Sequence, residues 1–484
     1  MTNPVLFGNA LALAADLLDH TPPGGKDAPG PCASSRALAL SHIAMADVCS
    51  LLGAGYEPWI GHPQPPGGGK LSRNAAIAAA AYAVVVAIYK SKAAVHGHAY
   101  RQYILSLGKE PGIEAGEALG FQVAAAVLKE RAGDPPASSL SRPTYDKPPG
   151  NSTEIHDIDP LHPRLQFYGE VWATIGKPFG MESVDQVTVR DFASIPPEER
   201  QKDLAEVRDF GSYMSADRTQ TQTDIGISWS YDGSAGIGTP PRLYNQFLVA
   251  VARHDGRVGD IDDLARLLAL ANIAMADAAI VAWRGKYRHK VARPVRWING
   301  PNLDPDGEPI PGRALWEPLG AQASRGAAAQ AQAGSQAAPE AAPASVFGSL
   351  AAPAASQRAD FTPPFPAYPS GHASIGTAAL SVLRLWRTPQ DKGQEGNDTL
   401  DLLFQSDEFN GLTEDSRGKT RPAKTMRFRS ISQAIEENNE SRIWLGVHWR
   451  FDATYGSQAG QEIARIVLDR RYRPREQHLS GAWG

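Results

Sequence analysis

The sequence is poor in cysteine and has no marked excess of either charge. Among its 484 residues only Cys32 and Cys49 are cysteines, which excludes a disulfide framework or a multi-cysteine metal site. It contains 48 Lys and Arg and 52 Asp and Glu, which gives a formal net charge of −4. It therefore lacks the excess of basic residues that is typical of dedicated nucleic-acid or membrane-surface proteins. No apolar run approaches the roughly 18 residues of a membrane span. We therefore expect neither a nucleic-acid nor a membrane partner.

The amino terminus carries no recognisable targeting segment. Residues 1–20 are mildly apolar but lack a basic region and a small-residue cleavage site. This absence favours an intracellular protein, while export by a route without a readable signal stays open, so the localisation is undetermined. Hydrophobic residues make up 42% and charged residues 21%, which is typical of a globular enzyme and excludes wholesale disorder.

The periodic segments predict helices. Strand patterns are scarce, and the best candidate, residues 225–231 (IGISWSY), fits a short strand or a loop. Residues 134–161 are typical of a linker, residues 321–356 of a mobile insertion or surface loop, and residues 406–425 of another loop. We predict an all-α fold. Helical spacing of Ala, Leu, Ile and Val is found over residues 36–52, 74–91, 115–131, 261–283, 372–386 and 456–471.

An internal duplication is visible. Residues 36–47 (RALALSHIAMAD) and 266–277 (RLLALANIAMAD) match at nine of twelve positions. Two weaker matches follow in the same order, one beginning at Ser72 and Ser370, the other at Gly116 and Gly456. Three matches in one order indicate two related helical bundles.

The two copies differ in chemistry, since only the second carries charged and histidine side chains at the aligned places. We predict an N-terminal helical bundle over residues 1–131, a connecting region over 132–235 and a C-terminal bundle with the active site over 236–484. Lys286, Arg293 and His372 of the second copy align with Tyr56, Pro63 and Asn74 of the first.

Cations in the second copy suggest an oxyanion pocket. Lys286 and Arg293 lie seven residues apart, so on one helix they would share a face. Gly371 and His372 begin an apolar helical run, where free backbone N–H groups and the helix dipole favour an anion. Arg442 adds a planar guanidinium suited to tetrahedral oxyanions.

A second histidine extends this pocket. His448 could be a nucleophile or a ligand of a metal oxide, and Asp452, four residues later, could orient its ring. Taken singly, such residues are more often solvated charges, hydrogen-bonded core histidines or helix caps. The joint spacing of all of them favours a functional site.

That joint pattern resembles the three-part signature shared by vanadium-dependent haloperoxidases and the related acid phosphatases. Its parts here are Lys-x6-Arg-Pro, Pro-Ser-Gly-His and Ser-Arg-x3-Gly-x-His-x3-Asp. Residues 365–372 (FPAYPSGH) and 229–245 are also similar to segments of the fungal chloroperoxidases, and the resemblance is strongest over residues 218–471. It implies two related four-helix bundles joined by long irregular loops, with the active site in the C-terminal bundle.

The resemblance also implies a role for each residue. Vanadate, as vanadium(V), would bind a ring nitrogen of His448, which Asp452 would orient, and His372 would be the acid–base residue. Asp232 would be a carboxylate partner of Arg442, and Trp283 and Phe365 would line the halide side of the pocket. The residues holding the vanadate oxygens would be Lys286, Arg293, Arg442, Ser370 and Gly371.

The implied reaction is the oxidation of a halide by hydrogen peroxide to hypohalous acid through a peroxovanadate intermediate, followed by halogenation of a small organic acceptor. Phe365 stands where bromoperoxidases of the family commonly carry histidine, which favours chloroperoxidase-like chemistry. Bromide is easier to oxidise, so we expect bromide activity and leave chloride activity open.

Two alternatives remain from the sequence. The same pocket suits an acid phosphatase with a phosphohistidine at His448, and a non-catalytic helical scaffold protein would share the fold. The Ala-rich helical surface permits a homo-oligomer without requiring one.

Overall fold

The computed structural model describes residues 3–21, 27–63, 69–135, 169–302, 310–322, 326–327, 362–363, 365–387, 397–415 and 418–475. Almost all of the predicted linker at 134–161 and of the predicted insertion at 321–356 lies outside these residues. The described parts of the chain contain fourteen α-helices. They are α1 (Pro4–Asp19), α2 (Gly30–Leu51), α3 (Arg73–Ile88), α4 (Ala93–Ser106), α5 (Ile113–Glu130), α6 (Glu170–Ile175), α7 (Pro197–Phe210), α8 (Gln220–Ser228), α9 (Pro240–His254), α10 (Ile261–His289), α11 (Pro294–Asn299), α12 (Gly371–Trp386), α13 (Ile431–Trp444) and α14 (Arg450–Arg470).

The predicted all-α fold is confirmed, and each of the six predicted helices is present with shifted ends. Helix α10 continues beyond residue 283 to His289, where Lys290 adopts a left-handed conformation with φ of 53°. Its other end is capped by Asp260, whose carboxylate accepts a hydrogen bond from the Asp263 N–H at 3.0 Å. The helix therefore carries Lys286 in its last turn.

Residues 225–231, for which the sequence allowed a short strand or a loop, begin as helix. Residues 225–228 belong to α8, which begins with a capping box at Thr219. Thr219 Oγ1 accepts from the Gln222 N–H at 3.2 Å, and Gln222 Oε1 accepts from the Thr219 N–H at 2.9 Å. These two bonds satisfy backbone donors at the helix start.

Short antiparallel strand pairs lie elsewhere, and one strand falls within the predicted loop at residues 406–425. Leu402 of one pair stands opposite Phe428. The first pair joins β1 (Gly326–Ala327) to β3 (Thr413–Glu414), and the second joins β2 (Thr399–Phe404) to β4 (Met426–Ser430).

The duplicated segments form two helical bundles with the same close contacts. Helices α1, α2, α3 and α5 correspond to α9, α10, α12 and α14. In the first bundle a Cβ added at Gly120 would lie 2.3 Å from Ala76 O, and in the second one added at Gly460 would lie 2.4 Å from Ser374 O. Only glycine permits α5 and α14 to approach α3 and α12 this closely.

A buried polar pair is also repeated. His42 in α2 contacts the Asn9 carboxamide at 2.9 Å, and its Nδ1 donates at 2.7 Å to the carbonyl four residues earlier. Asn272 in α10 contacts Asn245 at 2.8 Å and donates at 2.7 Å to the carbonyl four residues earlier. The two bundles thus share polar as well as apolar contacts. The domain limits at residues 131/132 and 235/236 remain predictions from the sequence.

Helix α10 is central and packs on both α2 and α12. It is long and apolar enough to cross a membrane, contrary to the expectation from the sequence, but 94% of its apolar window is buried. Cys32 and Cys49 are buried and free. The carboxyl end of α10 meets the amino end of α12, and this junction places the candidate site.

Candidate active site

The residues predicted from the second copy converge at one end of the C-terminal bundle. Each comes from the end of a helix or from the segment beside it. Lys286 lies in the last turn of α10, Arg293 precedes α11, Ser370 caps α12, Gly371 and His372 begin it, Arg442 lies in the last turn of α13, and His448 and Asp452 flank the start of α14.

Lys286 and Arg293 do not share a helix, so that sequence argument is wrong. Helix α10 ends at His289. Arg293 has φ of −70° and ψ of 153°, the extended conformation that a following proline imposes, here Pro294. The two cations reach the site from a helix and from an extended turn.

Lys286 is held by backbone oxygens. Its Nζ donates to the carbonyls of Pro366, Ala367 and Pro369 at 2.9, 2.9 and 2.6 Å. Burial lowers the pKa of Lys286 well below its usual range, and the charge of Arg293 lowers it further. A bound anion would favour the ammonium form.

His448 is oriented so that one ring nitrogen faces the Arg293 guanidinium. Its Nδ1 donates to Asp452 Oδ2 at 2.7 Å, so Nε2 holds a lone pair, 2.9 Å from Arg293 Nη1. Arg293 also donates to Val447 O at 2.7 Å and to Phe365 O at 3.0 Å. Burial, followed by the charge of Arg293, lowers the pKa of His448 well below its usual range. The ring is therefore neutral and can act as a ligand or a nucleophile.

Asp452 joins this histidine to the start of α12. Its Oδ2 also accepts from the Trp449 N–H at 3.2 Å, and its backbone carbonyl accepts from the Ser370 N–H at 3.0 Å. Burial raises the pKa of Asp452 to about 7, although the charge of Lys286 opposes the rise.

Arg442 is fully buried and pairs with Asp232. Its Nη2 donates to Asp232 Oδ1 at 3.0 Å, and that carboxylate is half-buried. Burial raises the pKa of Asp232, and the Arg442 guanidinium opposes the rise. Within the described part of the chain, Arg442 Nε has no hydrogen-bond partner.

His372 is fixed by two carbonyls. Its Nε2 lies 2.8 Å from Ser230 O and 3.0 Å from Trp229 O, so Nε2 carries the proton and Nδ1 does not. Arg442 Nη1 is 3.3 Å from the same nitrogen. Burial, followed by the charge of Arg442, lowers the pKa of His372 well below its usual range. His372 is thus a neutral base.

The start of α12 lies against an aromatic wall. Ser370 Oγ accepts from the Ala373 N–H at 3.3 Å. A Cβ at Gly371 would lie 3.0 Å from Trp283 Cζ3, so glycine leaves room beside the ring. The rings of Trp283 and Phe365 are 4.7 Å apart, and Lys286 Nζ lies 5.6 and 5.2 Å from their centroids.

The first bundle binds a carboxylate at the corresponding helix start. Ser72 and Asn74 align with Ser370 and His372 of the second copy. Ser72 Oγ donates to Glu110 Oε1 at 2.6 Å, and Asn74 Nδ2 donates to Oε2 at 3.1 Å. The start of α3 therefore binds an oxyanion, and that oxyanion is the carboxylate of Glu110 from the same chain.

The site as a whole has an excess of buried positive charge. Lys286, Arg293 and Arg442 are 0, 1 and 0% exposed. Burying a cation is costly unless an anion compensates it, and among the described residues the neighbouring carboxylates are Asp452 and the half-buried Asp232. The fold and the site define an all-α protein with a histidine-centred site for an oxyanion.

Comparisons with known proteins agree with this class. Residues 266–477 match the family model described as the VCPO second helical-bundle domain. The chain is 28% identical over 527 residues to the vanadium chloroperoxidase of Curvularia inaequalis, covering 93% of this chain and 79% of that relative. The second bundle thus matches a domain model of this family, and the chain is similar to a vanadium chloroperoxidase over most of its length.

Two solved structures share the fold. The first bacterial vanadium-dependent iodoperoxidase has a TM-score of 0.69 and 20% identity, with 99% of each chain covered. An apo-type bacterial vanadium-dependent chloroperoxidase has a TM-score of 0.59 and 13% identity, with 92% of this chain and 96% of that chain covered.

Sequence reasoning missed the backbone acceptors of the site. Five carbonyls hold Lys286 and His372, and no side-chain pattern marks a carbonyl oxygen. The cluster of prolines around residues 363–369 was the available indication, because proline lacks an N–H and breaks helices. The oxygens belong to Pro366, Ala367, Pro369, Trp229 and Ser230.

Proposed function

We propose that the protein is a vanadium-dependent haloperoxidase, which oxidises a halide with hydrogen peroxide to hypohalous acid that then halogenates a small organic acceptor. One observation carries the proposal. Arg293 Nη1 lies 2.9 Å from His448 Nε2, besides burial the charges of the buried Lys286 and Arg442 also lower the pKa of that ring, and Arg442 Nε lacks a hydrogen-bond partner within the described residues. Such a set suits a tetrahedral oxyanion with one histidine ligand.

The residues fit vanadate. His448 would be its protein ligand through Nε2, kept in the required tautomer by Asp452. Three cations would compensate its charge, and Ser370 Oγ and the Gly371 N–H would donate to its oxygens. Vanadate, when bound, supplies a Lewis-acidic centre that activates peroxide toward halide. The cations that would hold it are Lys286, Arg293 and Arg442.

The protein would supply the acid–base chemistry. His372 Nε2–H is held by carbonyl oxygens, so Nδ1 is the atom that would accept a proton from incoming hydrogen peroxide. Its lowered pKa keeps the ring neutral and ready for that transfer. Asp232 would hold Arg442 in place. Lys286, whose Nζ donates to three carbonyl oxygens, would act through its positive charge on the oxygen that the halide attacks.

Direct loading tests the proposal. We would add orthovanadate to the purified apoprotein and follow bromination of a phenol-type dye in the presence of hydrogen peroxide. The expected result is vanadate-dependent bromination that His448→Ala abolishes while the circular dichroism spectrum is kept. His98→Ala, which changes an exposed histidine, is the matched control and should retain the activity.

The phosphatase alternative makes the opposite prediction. His448 Nε2 could also attack a phosphate ester, because phosphate is a tetrahedral oxyanion as well. If vanadate only inhibits ester hydrolysis and supports no bromination, the haloperoxidase proposal is wrong.

We infer that bromide is oxidised faster than chloride. The wall of Trp283 and Phe365 beside Lys286 is apolar, and bromide is both easier to oxidise and easier to desolvate. Phe365→His should lower the chloride-to-bromide rate ratio, whereas Phe121→His, at an exposed phenylalanine, should leave it unchanged. Halide competition with dye halogenation as the readout measures this ratio.

A further inference from the structure

One turn links the acid–base histidine to a cation of the site. In the 228–232 turn, Ser230 O accepts from His372 Nε2 and Asp232 accepts from Arg442. Between them Tyr231 has φ of 40°, a left-handed conformation that is strained for a bulky residue. Such a turn persists only if its surroundings hold it.

A second segment, residues 406–408, holds the turn, and we call it the brace. It begins beyond strand β2 and is distant in sequence from every residue of the site. Three hydrogen bonds join the brace to the turn: Ser406 Oγ to Ser228 O at 2.8 Å, Asp407 N to Tyr231 OH at 2.9 Å, and Ser230 Oγ to Glu408 Oε1 at 2.6 Å.

Glu408 is the charged member of the brace. Its side chain is fully buried, and its Oε2 accepts from Arg421 Nη1 at 2.5 Å. The Arg421 N–H donates to Thr413 O at 2.8 Å, which fixes the arginine in turn. The bond from Ser230 Oγ is therefore charge-assisted and short, the strong kind of hydrogen bond.

We propose that Glu408 is a positioning residue that acts on His372 through Ser230. The carboxylate holds the Ser230 side chain, and the carbonyl of the same residue holds the proton on His372 Nε2. Nδ1 is thereby kept as the proton acceptor. The catalytic meaning of this tautomer rests on the proposed function, whereas the tautomer itself is a property of the apoprotein.

The tautomer can be measured without turnover. We would label the histidines of the apoprotein with ¹⁵N and record ring-nitrogen shifts at pH 8, assigning His372 by its loss in His372→Gln. The wild type should show the Nε2–H form. Ser230→Ala and Glu408→Ala should each raise the Nδ1–H to Nε2–H ratio about tenfold, the scale of one charge-assisted hydrogen bond.

A control variant and a double variant distinguish a positioning role of Glu408 from a general destabilisation of the fold. Ser457→Ala removes a buried hydroxyl that bonds Thr377 Oγ1 at 2.9 Å, away from the turn, and should leave the His372 shifts unchanged. The double variant Ser230→Ala with Glu408→Ala should shift the ratio no further than Ser230→Ala alone, because Glu408 acts through that serine. If Glu408→Ala does not fold, Glu408→Gln takes its place in the cycle.

Kinetics then complete the test. In vanadate-loaded protein the same variants should lower kcat about tenfold, with little change in the affinity for orthovanadate. Unchanged His372 ring shifts in Ser230→Ala and in the folded Glu408 variant would overturn the proposal. An altered tautomer in a protein that shows no halide oxidation would instead count against the proposed function and leave the positioning role standing.

Discussion

Replacing His42 by asparagine should make the protein less sensitive to acid. The second bundle supplies the template, since Asn272 makes the equivalent contacts to Asn245 and to the carbonyl four residues earlier. His42→Asn should therefore keep the buried pair with Asn9 while removing a titratable ring. The expected cost at pH 8 is small, about 1 kcal/mol, as for a modest loss of packing.

The size of the stability loss in acid follows from the lowered pKa of His42. Burial lowers its pKa from the ordinary 6.5 to about 4. Because the folded state holds the ring neutral, its contribution to stability is complete above pH 6.5 and is lost as the pH falls toward 4. A shift of this size corresponds to about 3 kcal/mol of free energy of unfolding lost at pH 4. His42→Asn should abolish that part of the acid sensitivity.

The assay is urea unfolding of the wild type and the variant at several pH values between 4 and 8. Buried histidines elsewhere, His96 among them with a pKa of about 4, make both proteins lose stability in acid, so the quantity of interest is the difference between their slopes. His98→Asn, at an exposed histidine, shows what the same replacement does at the surface. Equal acid slopes in the wild type and His42→Asn would refute the reasoning.

Three predictions concern the site. Gly371→Ala should weaken orthovanadate binding several-fold in calorimetric titration without unfolding the protein, because the added methyl would press on Trp283 at 3.0 Å. Asp452→Asn should weaken it about 10- to 100-fold, since the bond that orients His448 loses its charge. Orthovanadate at 100 times its Kd should raise the free energy of unfolding by about 2.7 kcal/mol, an increase that thermal scans of Arg442→Met should not show.

Much of the fold and site was predictable because the relevant information is local. The six predicted helices follow from apolar spacing, and the joint pattern of cations and histidines marks the ends of helices where side chains meet. The missed helix α8 was also readable, since Thr219 followed by Gln222 is a capping-box sequence. The short apolar run after it suggested a strand or a loop, and the capping box was the better indication.

The remainder depends on tertiary contacts that no local pattern encodes. The three carbonyls around Lys286 come from a segment some 80 residues away. The extended conformation of Arg293 was implied by Pro294, but only the structure shows that its side chain still reaches His448. Glu408 gave no indication of its position, because a lone glutamate in a polar segment is typical of solvent exposure.

Because Glu110 supplies a carboxylate to the first bundle, the two bundles should differ in how their stability depends on dissolved anions. At the start of α3 the anion is part of the chain and is present at every solute concentration. At the start of α12 the proposed anion would come from the solution. The stability of the N-terminal bundle should therefore not change with the concentration of tetrahedral anions, whereas that of the C-terminal bundle should rise with it.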